Sequence, residues 1–228
     1  MNERLKLMKK RVRAGKHHSL RRAAPIDILA ECEAENLSWP RRVACLIKRQ
    51  CEAEQVVIAP DEQIVFTRTL PAVPAIYNSE DWGRLIAGRI LHELGPVSNI
   101  CADWSLLLSQ GLLGRKQVAL ESREQMADDP STVEFLSCVI EDIDAVIGLA
   151  SRYASRAREL GNDSLAEILE NVPAHPAITF HEALQSLRLC HAVVWLGGNY
   201  HVGLGRFDQY MWPYLKADLA AGRLTRQT

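Results

Sequence analysis

No stretch of eighteen or more apolar residues occurs in the 228-residue chain, so no helical membrane span is expected. Basic residues open the sequence, but no apolar run follows them, which excludes a secretory signal. No two cysteines are spaced Cys-x-x-Cys, which argues against zinc ribbons and thioredoxin-like redox motifs. The six cysteines are therefore read as free thiols of a cytoplasmic protein. Residues 1–22 contain no aromatic side chain, so a base-stacking surface, and with it a nucleic-acid partner, is not expected.

That same stretch carries nine Lys/Arg and one Glu, a local charge of +8, while the whole chain is −1 and the rest therefore −9. Residues 1–37 read as a basic, solvated arm and helix, and 38–228 as the main body. Hydrophobic residues make up 47% of the chain, enough for a real core.

Most of the body reads as helix. Ser38 and Pro40 open a segment to about Glu54. Val56 to Ile58 and Ile64 to Thr67 read as two short extended runs around a turn, a small hairpin. Ser79, Glu80 and Asp81 start a helix that Gly95-Pro96 should stop. A short helix over about Asp103 to Gln110 should end at Gly111. Pro130 to about Leu160 is the clearest helix, with Ser131 and Glu134 as a capping box and apolar residues recurring at threes and fours. Ser164 and Glu167 should cap a small helix, and Thr179 and Glu182 another running to about Leu196. That last helix is apolar on nearly every face and expects protein all round it. The fold class is mainly α with a short β hairpin, and a larger body is expected to cover it.

Several motifs fail. His181-Glu182-Ala183-Leu184-Gln185 starts like a zinc motif, but Gln185 takes the second ligand position. His92-Glu93 is followed by helix-breaking Gly95-Pro96. No metal site is expected, because zinc needs three or four converging ligands. Gly203-Leu204-Gly205 lacks the third glycine of a dinucleotide loop, and a helix precedes it. His191 shares an apolar helix face and reads as a hydrogen-bonded core residue. The segment from Gly197 to Tyr210 is different. Four glycines lie within nine residues, with Asn199, His201, Arg206, Asp208 and Gln209 interleaved. It reads either as a corner locked by ion pairs or as a pocket wall.

Two stretches carry a family likeness: Pro176 to Ser186, and Gly205-Arg206-Phe207-Asp208-Gln209-Tyr210-Met211-Trp212-Pro213-Tyr214. Together they resemble the paired signatures of pyruvate formate-lyase-type glycyl-radical enzymes. Pro40 to Ala44 with Asp61 to Val65, His92 to Asp103 with Gly111-Leu112, and Arg152 to Ala154 support the likeness. It implies the N-terminal helical portion of a ten-stranded α/β barrel. It also implies a glycyl radical installed by a separate iron–sulfur, S-adenosylmethionine-dependent activase and passed to a cysteine inside the barrel. A small-molecule substrate, that activase and a homodimeric partner follow from the same likeness, as does formate C-acetyltransferase-like chemistry.

The two radical elements of the family do not appear here. Arg11-Val12 is not followed by Gly-Tyr at the family's spacing, and no Cys-x-Glu or Cys-Cys loop is present. No catalytic residue is therefore assigned, and this chain is expected to be inactive alone, with no cofactor of its own. A helical binding or regulatory protein using the basic arm is the alternative. By the resemblance, Asn99 falls where dehydratase-type members place a substrate-binding histidine. His201 falls where several members place a small hydroxyl residue. Both depart from the pattern, which argues against glycerol as substrate. Asp103 matches a recurrent acid, and Arg206 and Asp208 are the structural signature.

Overall fold

A computed structural model describes residues 3–60, 62–89, 100–199 and 201–225. The arm forms α1 (Glu3–Arg13), which buries no side chain, and a 3₁₀ turn (Lys16–Leu20). Next come α2 (Leu29–Ala34), α3 (Trp39–Ala53) and α4 (Ser79–Ala87). A two-residue strand β1 (Ile100–Cys101) leads into α5 (Trp104–Gln125), α6 (Pro130–Glu159), α7 (Asp163–Asn171) and α8 (Phe180–Leu196). Strand β2 (Val202–Gly203) and α9 (Phe207–Ala220) complete the described elements.

Helix α6 is the spine, packing on α3, α5 and α7. Its stripe buries Ile140, Ile143, Val146, Leu149, Tyr153 and Ala157. Val146, Leu149, Tyr153 and Ala157 join Ile47 and Cys51 of α3 and Leu189, Val193 and Leu196 of α8 in one apolar cluster. Arg152 of α6 reaches the end of α3. It donates to the carbonyls of Cys51 (2.8 Å), Glu52 (3.0 Å) and Glu54 (2.6 Å), which the helix leaves unpaired.

The expected hairpin does not form. Neither Val56 to Ile58 nor Ile64 to Thr67 is in a strand. The backbone of the second run is taken by side chains of α8. Gln185 accepts from Val65 N–H (2.8 Å) and donates to Val65 C=O (3.3 Å). Arg188 donates to Phe66 C=O (2.6 Å), and His181 Nε2 donates to Gln63 C=O (2.6 Å). Side chains four and seven residues apart on a helix share one face, so α8 presents a ladder of polar groups in place of a partner strand. Glu54, fully buried, holds the next residues by accepting from Thr69 N–H (2.6 Å).

Two predicted caps move. Asp129, not Ser131, caps α6, accepting from Ser131 N–H (3.0 Å) and Thr132 N–H (3.3 Å) with Pro130 in the first turn. Asn162, not Ser164, caps α7 by accepting from Leu165 N–H (3.2 Å). The Thr179–Glu182 capping box is present as predicted. Helix α4 ends at Ala87 with Gly88 as its cap, ahead of the expected stop, and Gly95-Pro96 lies outside the described residues.

The helix from Trp104 does break at Gly111, whose φ is +67° and ψ 171°, but a further helical stretch follows to Gln125. The break seats the chain on residues 173–175. Leu112 and Leu113 N–H donate to the carbonyls of Pro173 (2.8 Å) and Ala174 (2.9 Å). A Cβ at Gly111 would lie 2.5 Å from the backbone carbon of His175, so only glycine fits.

Candidate functional site: the two-stave wall

Strands β1 and β2 pair in parallel, with Ile100 opposite Val202 and Cys101 opposite Gly203. A parallel pair needs a long crossover, and α5 through α8 supply it. Two side chains of the helical layer clamp β2 from behind. Trp104 Nε1 donates to Gly203 C=O (3.0 Å), and His191 Nε2 lies 3.2 Å from Val202 C=O. The Trp104 and His191 rings are 5.8 Å apart and tilted by 50°. Val202 points into the apolar cluster of Trp104, Leu108, Leu187 and Met211. Successive strand side chains alternate in direction, so Cys101, His201 and Gly203 belong to the opposite face, and Cys101, His201 and Gly203 are exposed there.

Past β2 the chain turns tightly. Gly205 has φ +57°, and a Cβ there would sit 2.7 Å from Cys101 Sγ. Tyr210 O–H donates to Leu204 C=O (2.8 Å), tying the turn to α9. Burial pushes the Tyr210 phenol up to about 12, which keeps it a neutral donor.

The residues singled out by sequence fall around this wall. Asn99 directly precedes β1 and lies outside the described residues. Asp103 follows β1 and is exposed; one of its oxygens accepts from Leu106 N–H (2.9 Å) and caps α5. His201 directly precedes β2 and is exposed. Arg206 and Asp208 pair with each other at 2.9 and 3.1 Å, as one reading anticipated, but they are not buried: both side chains are more than two-thirds exposed. The Arg206 guanidinium holds the Asp208 carboxyl below its usual range. Asp208 also lies in the first turn of α9, where the helix end is positive. His191 is the hydrogen-bonded core residue expected. The role of Trp104 was not legible, because nothing local signals a bond to a residue 99 positions away.

The failed zinc motif also has a physical account. His181 and Gln185 both spend their polar atoms on backbone of the 63–65 run.

A family model described as pyruvate formate lyase-like matches residues 80–228. The isethionate sulfite-lyase of Bilophila wadsworthia is 32% identical over 180 residues, covering 69% of this chain and 22% of that protein. The trans-4-hydroxy-L-proline dehydratase of Clostridioides difficile is 31% identical over 157 residues, covering 60% of this chain and 20% of its own length. Among solved structures, that of 1,2-propanediol dehydration in Roseburia inulinivorans superposes with a TM-score of 0.75 at 22% identity, over 99% of this chain and 36% of the other. A glycyl radical enzyme from Archaeoglobus fulgidus gives 0.68 at 19% identity, over 93% and 38%. The chain thus spans about a fifth of the curated relatives and little more than a third of the solved ones. With helices, parallel staves and both signature stretches in place, this chain belongs to the pyruvate formate lyase-like family of glycyl-radical enzymes and corresponds to its N-terminal portion.

Proposed function

We propose that these 228 residues form the substrate-side wall of a glycyl-radical lyase that eliminates a group from a small polar molecule, with the radical residues supplied by polypeptide outside them. The observation that carries this reading is the parallel β1–β2 pair, clamped from behind by Trp104 and His191 and open in front, where His201 stands. Asn99, Asp103 and His201 are the proposed substrate contacts. Elimination is favoured over formate C-acetyltransferase chemistry because the similar proteins named above are a sulfite-lyase and a dehydratase.

The glycyl radical that the family implies would supply hydrogen abstraction in the intact enzyme. The cysteines here do not fit its relay. Cys45 and Cys51 belong to α3 and Cys190 to α8, within the helical layer and not on a loop. Cys32 and Cys138 are buried within helices, and Cys101 belongs to β1. No step is therefore routed through this chain's thiols. Its own work is to bind and orient: the exposed imidazole and carboxylate can hydrogen-bond a hydroxylated substrate.

The test pairs this chain with the complementary portion of the Bilophila isethionate lyase and a radical S-adenosylmethionine activase, without oxygen. Turnover of isethionate, trans-4-hydroxyproline or propane-1,2-diol is expected, with His201→Ala lowering kcat/KM at least about tenfold. A formed glycyl radical with no turnover of any of them, or an indifferent His201→Ala, would overturn the reading.

A helical binding protein using the basic arm is the second reading, favoured by the lack of any buried side chain in α1. Tight, salt-dependent binding of a polyanion, lost on deleting residues 1–15, would support it.

A further inference from the structure

A cleft of about 340 Å³ opens between α3, α6 and α8. Its walls are apolar, built from Val43 and Ile47 of α3, Val139 and Val146 of α6, and Val193 and Val194 of α8. One carboxylate interrupts them, that of Asp142, and its Oδ1 is buried without a hydrogen-bond partner. A buried carboxylate oxygen with nothing to accept from is costly and asks for a donor.

Two cations of the flanking helices, Arg41 and Arg152, are engaged elsewhere. Arg41 pairs with Glu141 at 2.5 Å and lies 3.9 Å from Glu134. Arg152 is bound to three carbonyls at the end of α3. The lining also holds the thiol of Cys190 and the amide of Asn199, the latter at the end by Gly197.

We infer that this cleft binds a small primary alkylammonium ion, its nitrogen donating to the Asp142 carboxylate and its hydrocarbon chain lying along the valine walls. A charge-assisted bond in a desolvated site is stronger than a neutral one, and the apolar body gains by leaving water. The cleft volume lies at the small end of ligand sites, which suits a chain of four to six carbons, on the order of one small ligand.

The charge of the site is set by Asp142. Desolvation, with Glu141 adding to it, raises its carboxyl to about 7. The titratable groups facing it are Glu141 and Cys138 on α6, Cys51 on α3 and Cys190 on α8. Glu141 is paired with Arg41, and burial pushes all three thiols up, so they stay neutral across the neutral range. Alkylammonium binding should therefore strengthen as pH rises through about 7, while the amine itself stays protonated to roughly pH 10.

The inference stands apart from the proposed reaction and is tested on the full 228-residue chain without activation. Binding of n-hexylamine and of 1-hexanol is followed by the methyl resonances of Val43, Val139 and Val193 and by calorimetry. At pH 8 the amine should bind at least tenfold more tightly than the alcohol. That preference should shrink at pH 5.5 and vanish in Asp142→Asn, which keeps the shape and loses the charge. Equal affinity for amine and alcohol, an unchanged preference in the variant, or no saturable shift of those methyls would each overturn the site.

Discussion

Gln185 shows how one side chain can replace a strand. Its amide accepts from and donates to the same residue, Val65, and it is 1% exposed. Gln185→Leu would leave a buried N–H and a buried C=O unpaired. A loss of about 2–4 kcal/mol in urea unfolding is expected, since each orphaned group costs roughly 1–3 kcal/mol. A loss within about 0.5 kcal/mol would mean that the 63–66 run is held by apolar packing instead. Asp142 belongs at this scale too. Its carboxyl is raised in the folded state, so the native form holds its proton more tightly than the unfolded chain does. The sign follows: between about pH 4 and about pH 7 this group lowers stability as pH rises, and the loss is complete above about 7. Asp142→Asn should therefore flatten the pH dependence of the melting temperature across that window. An unchanged slope would show that Asp142 is not the group responsible.

At the scale of elements, the joint between the two parts of α5 is the most constrained. Gly111 combines a positive φ with backbone contacts that a Cβ would breach. Gly111→Ala should cost about 3 kcal/mol or more, from overpacking and backbone strain together. Gly148, inside α6 with open space around a Cβ, is the control: Gly148→Ala should be neutral or stabilising by up to about 1 kcal/mol. Equal melting curves for the two variants would refute the joint. This contrast also marks what the sequence discloses. The Thr179–Glu182 box and the stop at Gly111 are local signals, set by residues within one helical turn, and both were legible. The caps of α6 and α7 shifted because Asp129 and Asn162 lie just upstream and take the N–H groups first. The expected hairpin failed for a different reason: the backbone of residues 63–66 bonds to His181, Gln185 and Arg188, more than a hundred residues along, and not to a partner strand. The clamp on β2 hides likewise, since Trp104 and His191 meet only after the crossover closes.

For the whole molecule, the apolar character of α8 carries the same message as the two staves. Leu187, Leu189 and Leu196 are sealed, yet Trp195 of the same helix is 40% exposed. Among the described residues, β1 and β2 have only each other as sheet partners, which leaves both outer edges open. The signatures legible in sequence pointed to this portion of a barrel. Asp103 and His201 flank its two staves, and Asn99 precedes the first. The central claim is that this chain builds substrate-side wall while the radical pair lies on other polypeptide. Electron paramagnetic resonance after anaerobic incubation with a radical S-adenosylmethionine activase tests it most directly. The account predicts no glycyl-radical doublet from this chain alone and a doublet once the complementary portion of a relative is added; a doublet from the 228 residues by themselves would contradict it.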